Sequence, residues 1–329
     1  LKVVTLTDFV NKLSKGNLSL TEKIKRFQGF VLASTLATYL LIFIGGLVRV
    51  SGAGLGCPDW PKCFGRWIPP LHISQIPQDF NPASFNLTLA WIEYINRLAG
   101  MVTGIFILVT ALLALKNFRH KRIILIPSML AAMAVALQGW YGSIVVKSQL
   151  LPLTVSVHLI LALFIVSLLL YTLISAYHFG RPPAVKNIQP VRNILLMLWI
   201  AAIIQVVIGT EIRSSIEMIW QKFPLLSNSN ILPYVGAFTL VHALLGVLLS
   251  AGMVFINIRI NRLVSADGWL RQAVRIMNVL ILLQLASGFT LQVIGFSPLI
   301  QVFHLWIASL FIGLILVLYT SLSYQQENL

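Results

Sequence analysis

Eight apolar runs constrain this chain more than any other feature. They lie near residues 28–48, 87–115, 123–146, 152–177, 193–212, 233–256, 272–294 and 299–322. Each is long enough to cross a hydrocarbon core of about 30 Å, which takes about 20 helical residues. The expected fold is therefore all-α: a polytopic membrane protein of eight transmembrane helices. Composition agrees, because 58% of the 329 residues are hydrophobic and only 10% are charged, against about 25% charged in an ordinary soluble domain.

The net charge of +15 would suit a nucleic-acid surface, but its placement argues otherwise. Lys2, Lys12, Lys15, Lys23, Lys25, Arg26, Lys116, Arg119, Lys121, Arg122, Arg181, Lys186, Arg192, Arg259, Arg262, Arg271 and Arg275, 17 of the 24 basic residues, fall in alternate loops. That is the pattern of the positive-inside rule. It assigns both termini to the cytoplasm and makes membrane lipid, with no nucleic acid, the surrounding partner. Residues 1–26 are polar and basic, without the apolar core and cleavage site of a secretory signal, and read as a cytoplasmic arm.

The chain also repeats itself. Asn96-Arg97-Leu98-Ala99-Gly100 matches His242-Ala243-Leu244-Leu245-Gly246, and Pro152-Leu153 with His158-Leu159 matches Pro298-Leu299 with His304-Leu305, all at an offset of 146 residues. Leu137-Gln138 with Gly142 matches Leu283-Gln284 with Gly288 at the same offset. Ile44-Gly45 through Arg49-Val50-Ser51 matches Ile208-Gly209 through Arg213-Ser214-Ser215 at an offset of 164, so the first half holds 18 extra residues in an outer loop. An even number of spans per copy makes the two copies enter the membrane in the same sense. The expected organisation is an arm over 1–26, a four-helix bundle over 27–178, a cytoplasmic linker over 179–192, a second pseudo-symmetric bundle over 193–323 and a tail over 324–329.

Histidine inside an apolar run is costly and needs a reason. His242 and His304 belong to the second and fourth helices of their half, which stand diagonally across an up-down bundle, run parallel and place both imidazoles at one depth. They could clamp one haem iron, with Arg213 at the outer helix end for a propionate and Gly246 leaving room for a flat macrocycle. The alternative is hydrogen bonding between helices. In the first half His158 keeps its place but its diagonal partner is Asn96, a poor iron ligand, so a haem there would hang on one histidine. Glu93, one turn before Asn96, is either a functional carboxylate or a structural ion pair with Arg97 or Arg49. His72, His120 and His178 read as solvated loop residues. Trp60 and Trp67 read as interfacial belt residues.

The two cysteines, Cys57 and Cys63, share the outer loop, where an oxidising compartment favours a disulfide. A ring this small fits a structural clip and a labile, redox-active pair equally well.

The run Gly45-Gly46-Leu47-Val48-Arg49 through Gly54-Leu55-Gly56-Cys57-Pro58-Asp59-Trp60-Pro61-Lys62-Cys63, the group Glu93-x-x-Asn96-Arg97, and His158, His242 and His304 together resemble bacterial haem A synthase. The resemblance spans all eight runs and implies a bacterial cytoplasmic membrane. It implies oxidation of the C8 methyl of haem O to the formyl group of haem A, by successive hydroxylations and loss of water. It further implies a haem b cofactor on His242 and His304. The substrate haem would lie in the first half near His158, Asn96, Arg97 and Arg49, with Glu93 at the catalytic carboxylate position and Cys57 and Cys63 as a redox-linked pair. Haem O is then the substrate, with a haem O synthase or a terminal oxidase and its assembly apparatus as partners.

One departure stands out: the family pattern has Glu-x-x-His-Arg where this chain has Asn96. In one version His158 alone holds the substrate iron and leaves the other face open to oxygen or water. In the other, turnover has ended and the protein survives as a haem-binding or haem-delivery component of oxidase assembly. Other classes fit less well. A transporter would want broken helices around a central ion site. A two-haem quinol cytochrome would want four histidines. A prenyltransferase would want acidic diphosphate motifs, and nine scattered acids supply none.

Overall fold

A computed structural model of the chain describes residues 20–179, 188–225, 231–263 and 268–324. Lys2, Lys12, Lys15, Arg181 and Lys186 lie outside the described residues, as do most of the arm, the middle of the linker and the tail beyond Tyr324. Among the described residues eight helices are long and apolar enough to cross a membrane. They are α1 (Leu20–Val50), α2 (Leu87–Phe118), α3 (Arg122–Lys147) and α4 (Pro152–Tyr177), followed by α5 (Gln189–Lys222), α6 (Ala237–Leu263), α7 (Gly268–Val293) and α8 (Pro298–Leu322).

Two boundaries differ from the sequence expectation for physical reasons. α5 runs ten residues past the end of its apolar run at 212, because the extension carries Arg213 and Glu217 one turn apart, and their ion pair supports the helix after the hydrophobic pattern stops. The sixth run begins late, because a short helical turn at Leu232–Val235 ends on Gly236, whose φ of 74° breaks the helix before α6 starts.

Neighbours follow a simple order. α1 packs on α2, α2 on α3, α3 on α4, and α4 returns to α1; likewise α5 meets α6, α6 meets α7, α7 meets α8, and α8 returns to α5. The two sets touch where α8 meets both α1 and α4 and where α4 meets α5. Lipid tails are as apolar as leucine, so small residues and polar pairs hold such helices together. Ser34 bonds Thr110 at 3.0 Å between α1 and α2, Gln28 donates to the Ala176 carbonyl at 3.0 Å between α1 and α4, and Asn257 donates to Asn278 at 2.7 Å between α6 and α7. Large apolar side chains such as Leu36, Leu108 and Leu248 stay on the outside, where hydrocarbon solvates them.

The loop from 51 to 86 is folded around Cys57 and Cys63, which form a disulfide. Both are buried with Phe64 and Ala90, under Phe80 and Phe85. The Asp59 carboxylate accepts from the backbone N–H groups of Phe64 at 2.6 Å and Gly65 at 2.9 Å, which closes the ring polypeptide onto itself. Gly56 lies directly against the backbone of Leu89 and Ala90, so the loop seats on the first turn of α2 with no room for a side chain.

The junction of α1, α4 and α8 is the tightest contact between the two sets. Tyr39, Ile42, Val166, Leu170 and Val317 pack there, and the Trp306 indole donates to the Tyr39 carbonyl at 3.0 Å. Gly313 makes it possible, since a methyl group at that position would collide with the Tyr39 hydroxyl and with Leu170. Gly313→Val should destabilise the protein by about 1–3 kcal/mol through overpacking, seen as a lower unfolding midpoint in detergent. Gly104→Val, which meets nothing within 4 Å, should leave the midpoint unchanged.

Candidate functional site

His242 on α6 and His304 on α8 sit five and six residues inside the starts of their helices. Their ring centres are 6.3 Å apart. Two imidazoles on opposite sides of one metal ion, each at a metal–nitrogen distance of about 2 Å, have ring centres roughly 6 Å apart. The pair lines a cavity of about 710 Å³ enclosed mainly by α5, α6, α7 and α8. The described residues contain no group of three or more His, Cys, Asp or Glu placed to hold a metal ion, at this pair or elsewhere.

The walls are shaped to the rings. A methyl group on Gly209 would stand 3.1 Å from His242 Cε1, and one on Gly288 would stand 3.2 Å from His304 Cε1. Gly246, expected to admit a macrocycle, instead gives room to Gln205, whose amide would be 3.3 Å from a methyl group there. Gln205 Nε2 donates to the His242 carbonyl at 2.6 Å. Ser287 Oγ lies 2.8 Å from His304 Nδ1 and Gln284 Nε2 lies 3.2 Å from His304 Nε2. With the Gln284 amide nitrogen at Nε2, the ring proton belongs on Nδ1 facing Ser287, and a metal at Nε2 would displace the amide.

Arg213 and Arg49, counterparts in the repeat, both line this same cavity, Arg49 from the last turn of α1. Arg49, expected beside the first-half site, thus reaches the second-half cavity from α1. Glu217 accepts from Arg213 at 2.9 Å and lies 3.5 Å from Arg49, and Arg49 donates to Ser214 Oγ at 2.9 Å. Arg213 still has Nε and one terminal nitrogen buried without a partner. The cavity also leaves His242 Nδ1 and the side-chain oxygens of Gln205, Gln284 and Gln301 unpartnered. An unmet buried polar atom costs about 1–3 kcal/mol, so this concentration of them marks a place built for a polar or charged guest.

The first half repeats the frame with changes. Gly45, Gly100 and Gly142 stand at the positions equivalent to Gly209, Gly246 and Gly288. A methyl group on Gly142 would meet His158 Cε1 at 3.7 Å, as Gly288 meets His304. Tyr141 replaces Ser287 and stacks on the His158 ring with centres 6.4 Å apart. Gln138, the counterpart of Gln284, donates to the His158 carbonyl at 3.0 Å. His158 Nδ1, Asn96 Oδ1 and Gln138 Oε1 are buried without partners.

Glu93 and Arg97 form the ion pair that the sequence left open, and do more. Glu93 is 3% exposed; one carboxylate oxygen accepts from Arg97 and the other from the Cys57 backbone N–H at 2.7 Å. Arg97 also donates to the carbonyls of Asp59 at 2.9 Å and Lys62 at 2.7 Å. Together they fasten the disulfide loop to α2. Arg97 therefore spends its donors on loop backbone.

Of the histidines expected to be solvated, His72 and His120 are exposed, but His178 is 2% exposed. The turn that follows α8 brings Tyr324 over its ring, stacked with centres 4.9 Å apart, and Nδ1 lies 3.0 Å from the Ile174 carbonyl. Gln205, Ser287 and Glu217 went unread in the sequence. Glu217 had a legible signal in its i,i+4 spacing from Arg213. Gln284 had one in its repeat with Gln138, whereas Ser287 and Gln205 have no counterpart in the other half.

Comparison with known proteins places the chain. Residues 28–316 match the COX15-CtaA family, described as cytochrome oxidase assembly proteins. Among relatives, the haem A synthase of Shewanella oneidensis is 30% identical over 176 residues, covering 50% of this chain and 51% of that protein. The haem A synthase of Geobacillus kaustophilus is 28% identical over 170 residues, covering 52% and 48%, and that of Rickettsia prowazekii is 24% identical over 221 residues, covering 60% and 64%. The matched stretch spans about half the length of the first two of these relatives. With the family match running across all eight helices, the chain belongs to the COX15-CtaA family of cytochrome oxidase assembly proteins.

Proposed function

We propose that this protein is a haem A synthase of a bacterial cytoplasmic membrane, with both termini in the cytoplasm, oxidising the C8 methyl of haem O to a formyl group. Two hydroxylations of that carbon, each using one O2 with two electrons and two protons from an external donor and releasing one water, give a geminal diol, and loss of water leaves the aldehyde. The observation that carries this reading is the His242–His304 pair, 6.3 Å apart across a cavity of about 710 Å³. Its spacing, its tautomer-setting Ser287 and the unmet donors of Arg213 fit an iron porphyrin with propionates. His242 and His304 would hold the iron, and Arg213, with Arg49 beside it, would bind a propionate. A haem b held there would supply a one-electron relay, since a haem saturated by protein ligands transfers electrons well and activates oxygen poorly.

The helix contacts support two bundles related by duplication, over 27–178 and 193–323, the second for the cofactor and the first for the substrate. His158 would hold the substrate haem. Glu93 is the candidate catalytic carboxylate, fixed in position by Cys57 and Arg97. A haem-binding or haem-delivery role in oxidase assembly is the second reading, favoured by Asn96 standing where the repeat has a histidine. A haem O synthase as supplier and a terminal oxidase as recipient are the partners either reading implies.

Mass analysis of haem extracted after expression with a haem O source separates the two. A synthase yields haem A or its hydroxylated precursor; a carrier yields only unmodified haem. His242→Ala or His304→Ala should abolish the retained b-type spectrum, and persistence of that spectrum in both variants would remove the ligand assignment. Arg213→Ala should keep the spectrum but weaken haem affinity about tenfold or more, the worth of hydrogen bonds to a charged group. Glu93→Ala should keep the b-type haem and lower oxidised product at least about a hundredfold. Undiminished product would return Glu93 to a purely structural role.

A further inference from the structure

The two halves differ where they should be alike, and the difference has a shape. In the second half a methyl group on Gly209 would press on the His242 ring at 3.1 Å; at the equivalent Gly45 it would meet nothing within 4 Å. The counterpart of His242 is Asn96, whose carboxamide is shorter than an imidazole. The register of α1 against α2 agrees: a methyl group on Gly100 would meet Leu41 Cδ2 at 3.9 Å. One turn further along both antiparallel helices sets Gly45 level with Asn96. Asn96 also presents a buried Oδ1 with no partner, and so does His158 at Nδ1. A protein that had merely lost a ligand would be expected to close over such an atom.

We propose that Asn96 and Gly45 form a small-ligand pocket on the face opposite His158, in which the Asn96 carboxamide hydrogen-bonds a water- or diatomic-sized polar molecule. This rests on reading the first half as a haem site. A carboxamide suits the task because a half-turn about its last bond exchanges acceptor for donor. It can therefore accept from a water molecule and donate to a ligand that only accepts. Asn96 is then a binding residue with its own chemistry, and the first half is specialised to admit a ligand that the second half excludes with His242.

The test uses the full chain in detergent, loaded with ferric protoporphyrin IX and titrated with cyanide, reading haem count, spin state and cyanide affinity. Wild type should hold two haems per chain, one low-spin and one high-spin, with cyanide converting the high-spin one. Asn96→His should turn that haem low-spin and weaken cyanide binding. Asn96→Leu should leave it high-spin and weaken cyanide about tenfold, one lost hydrogen bond. Gly45→Val should weaken cyanide with both haems retained. Retention of the low-spin haem in each variant reports an intact fold. A first-half haem already low-spin in wild type, or cyanide affinity unmoved in both Asn96→Leu and Gly45→Val, overturns the pocket. A single haem per chain, unaffected by His158→Ala, overturns the haem reading of the first half and the pocket with it.

Discussion

Inside a bilayer a polar atom without a partner has no water to turn to, and the placement of such atoms orders this molecule. Helix backbones satisfy themselves, and most serine and threonine hydroxyls bond back to the carbonyl one turn earlier, as Thr35, Thr38 and Ser128 do. Most of the atoms left over among the described residues are gathered. They surround His242 and His304 on one side of the molecule and Asn96 and His158 on the other, while Trp91, Arg192, Trp199, Asn257 and Ser321 each leave a single atom unpartnered elsewhere. These two places are therefore where the chain concentrates its polarity in reserve.

Holding that reserve requires rigid walls, and the central junction supplies them. α8 touches α1 and α4 as well as α5 and α7, so the helix that carries His304 is gripped on the face away from the cavity. The Trp306 bond to the Tyr39 carbonyl lies half a turn from His304 and fixes the rotation of α8 about its axis. The close approach at Gly313 fixes its distance from α1. An imidazole at one end of a helix so constrained keeps its direction without needing a guest to orient it.

Much of this was legible in the sequence because duplication writes the same constraint twice. The eight runs, the diagonal histidines and the matched glycines follow from hydropathy and two offsets. What could not be read depends on contacts across the repeat. Arg49 enters the cavity of the other half because α1 lies against α8 at the junction, and no spacing within its own half announces that. His178 looked solvated because its loop is polar; it is buried by Tyr324, a residue far along the chain. The disulfide was an open question of geometry, and its seating on Glu93 depends on Gly56 meeting the α2 backbone.

The extra disulfide loop and the missing histidine occur in the same half, and one physical argument connects them. Glu93 and Asn96 are one turn apart on α2, so the carboxylate that anchors the disulfide loop and the carboxamide that replaces an imidazole occupy neighbouring faces of one helix. In the second half the corresponding turn carries Thr239 and His242, and Thr239 bonds only to the Gly236 carbonyl at 3.0 Å. The second-half turn thus presents a single polar function, a metal-type ligand, and the first-half turn presents a fixed charge beside a hydrogen-bonding amide. A saturated site needs only the former. A site that must admit a small molecule and handle its protons needs the latter, and it needs a cover that keeps bulk water away from the carboxylate, which is the position the disulfide loop occupies.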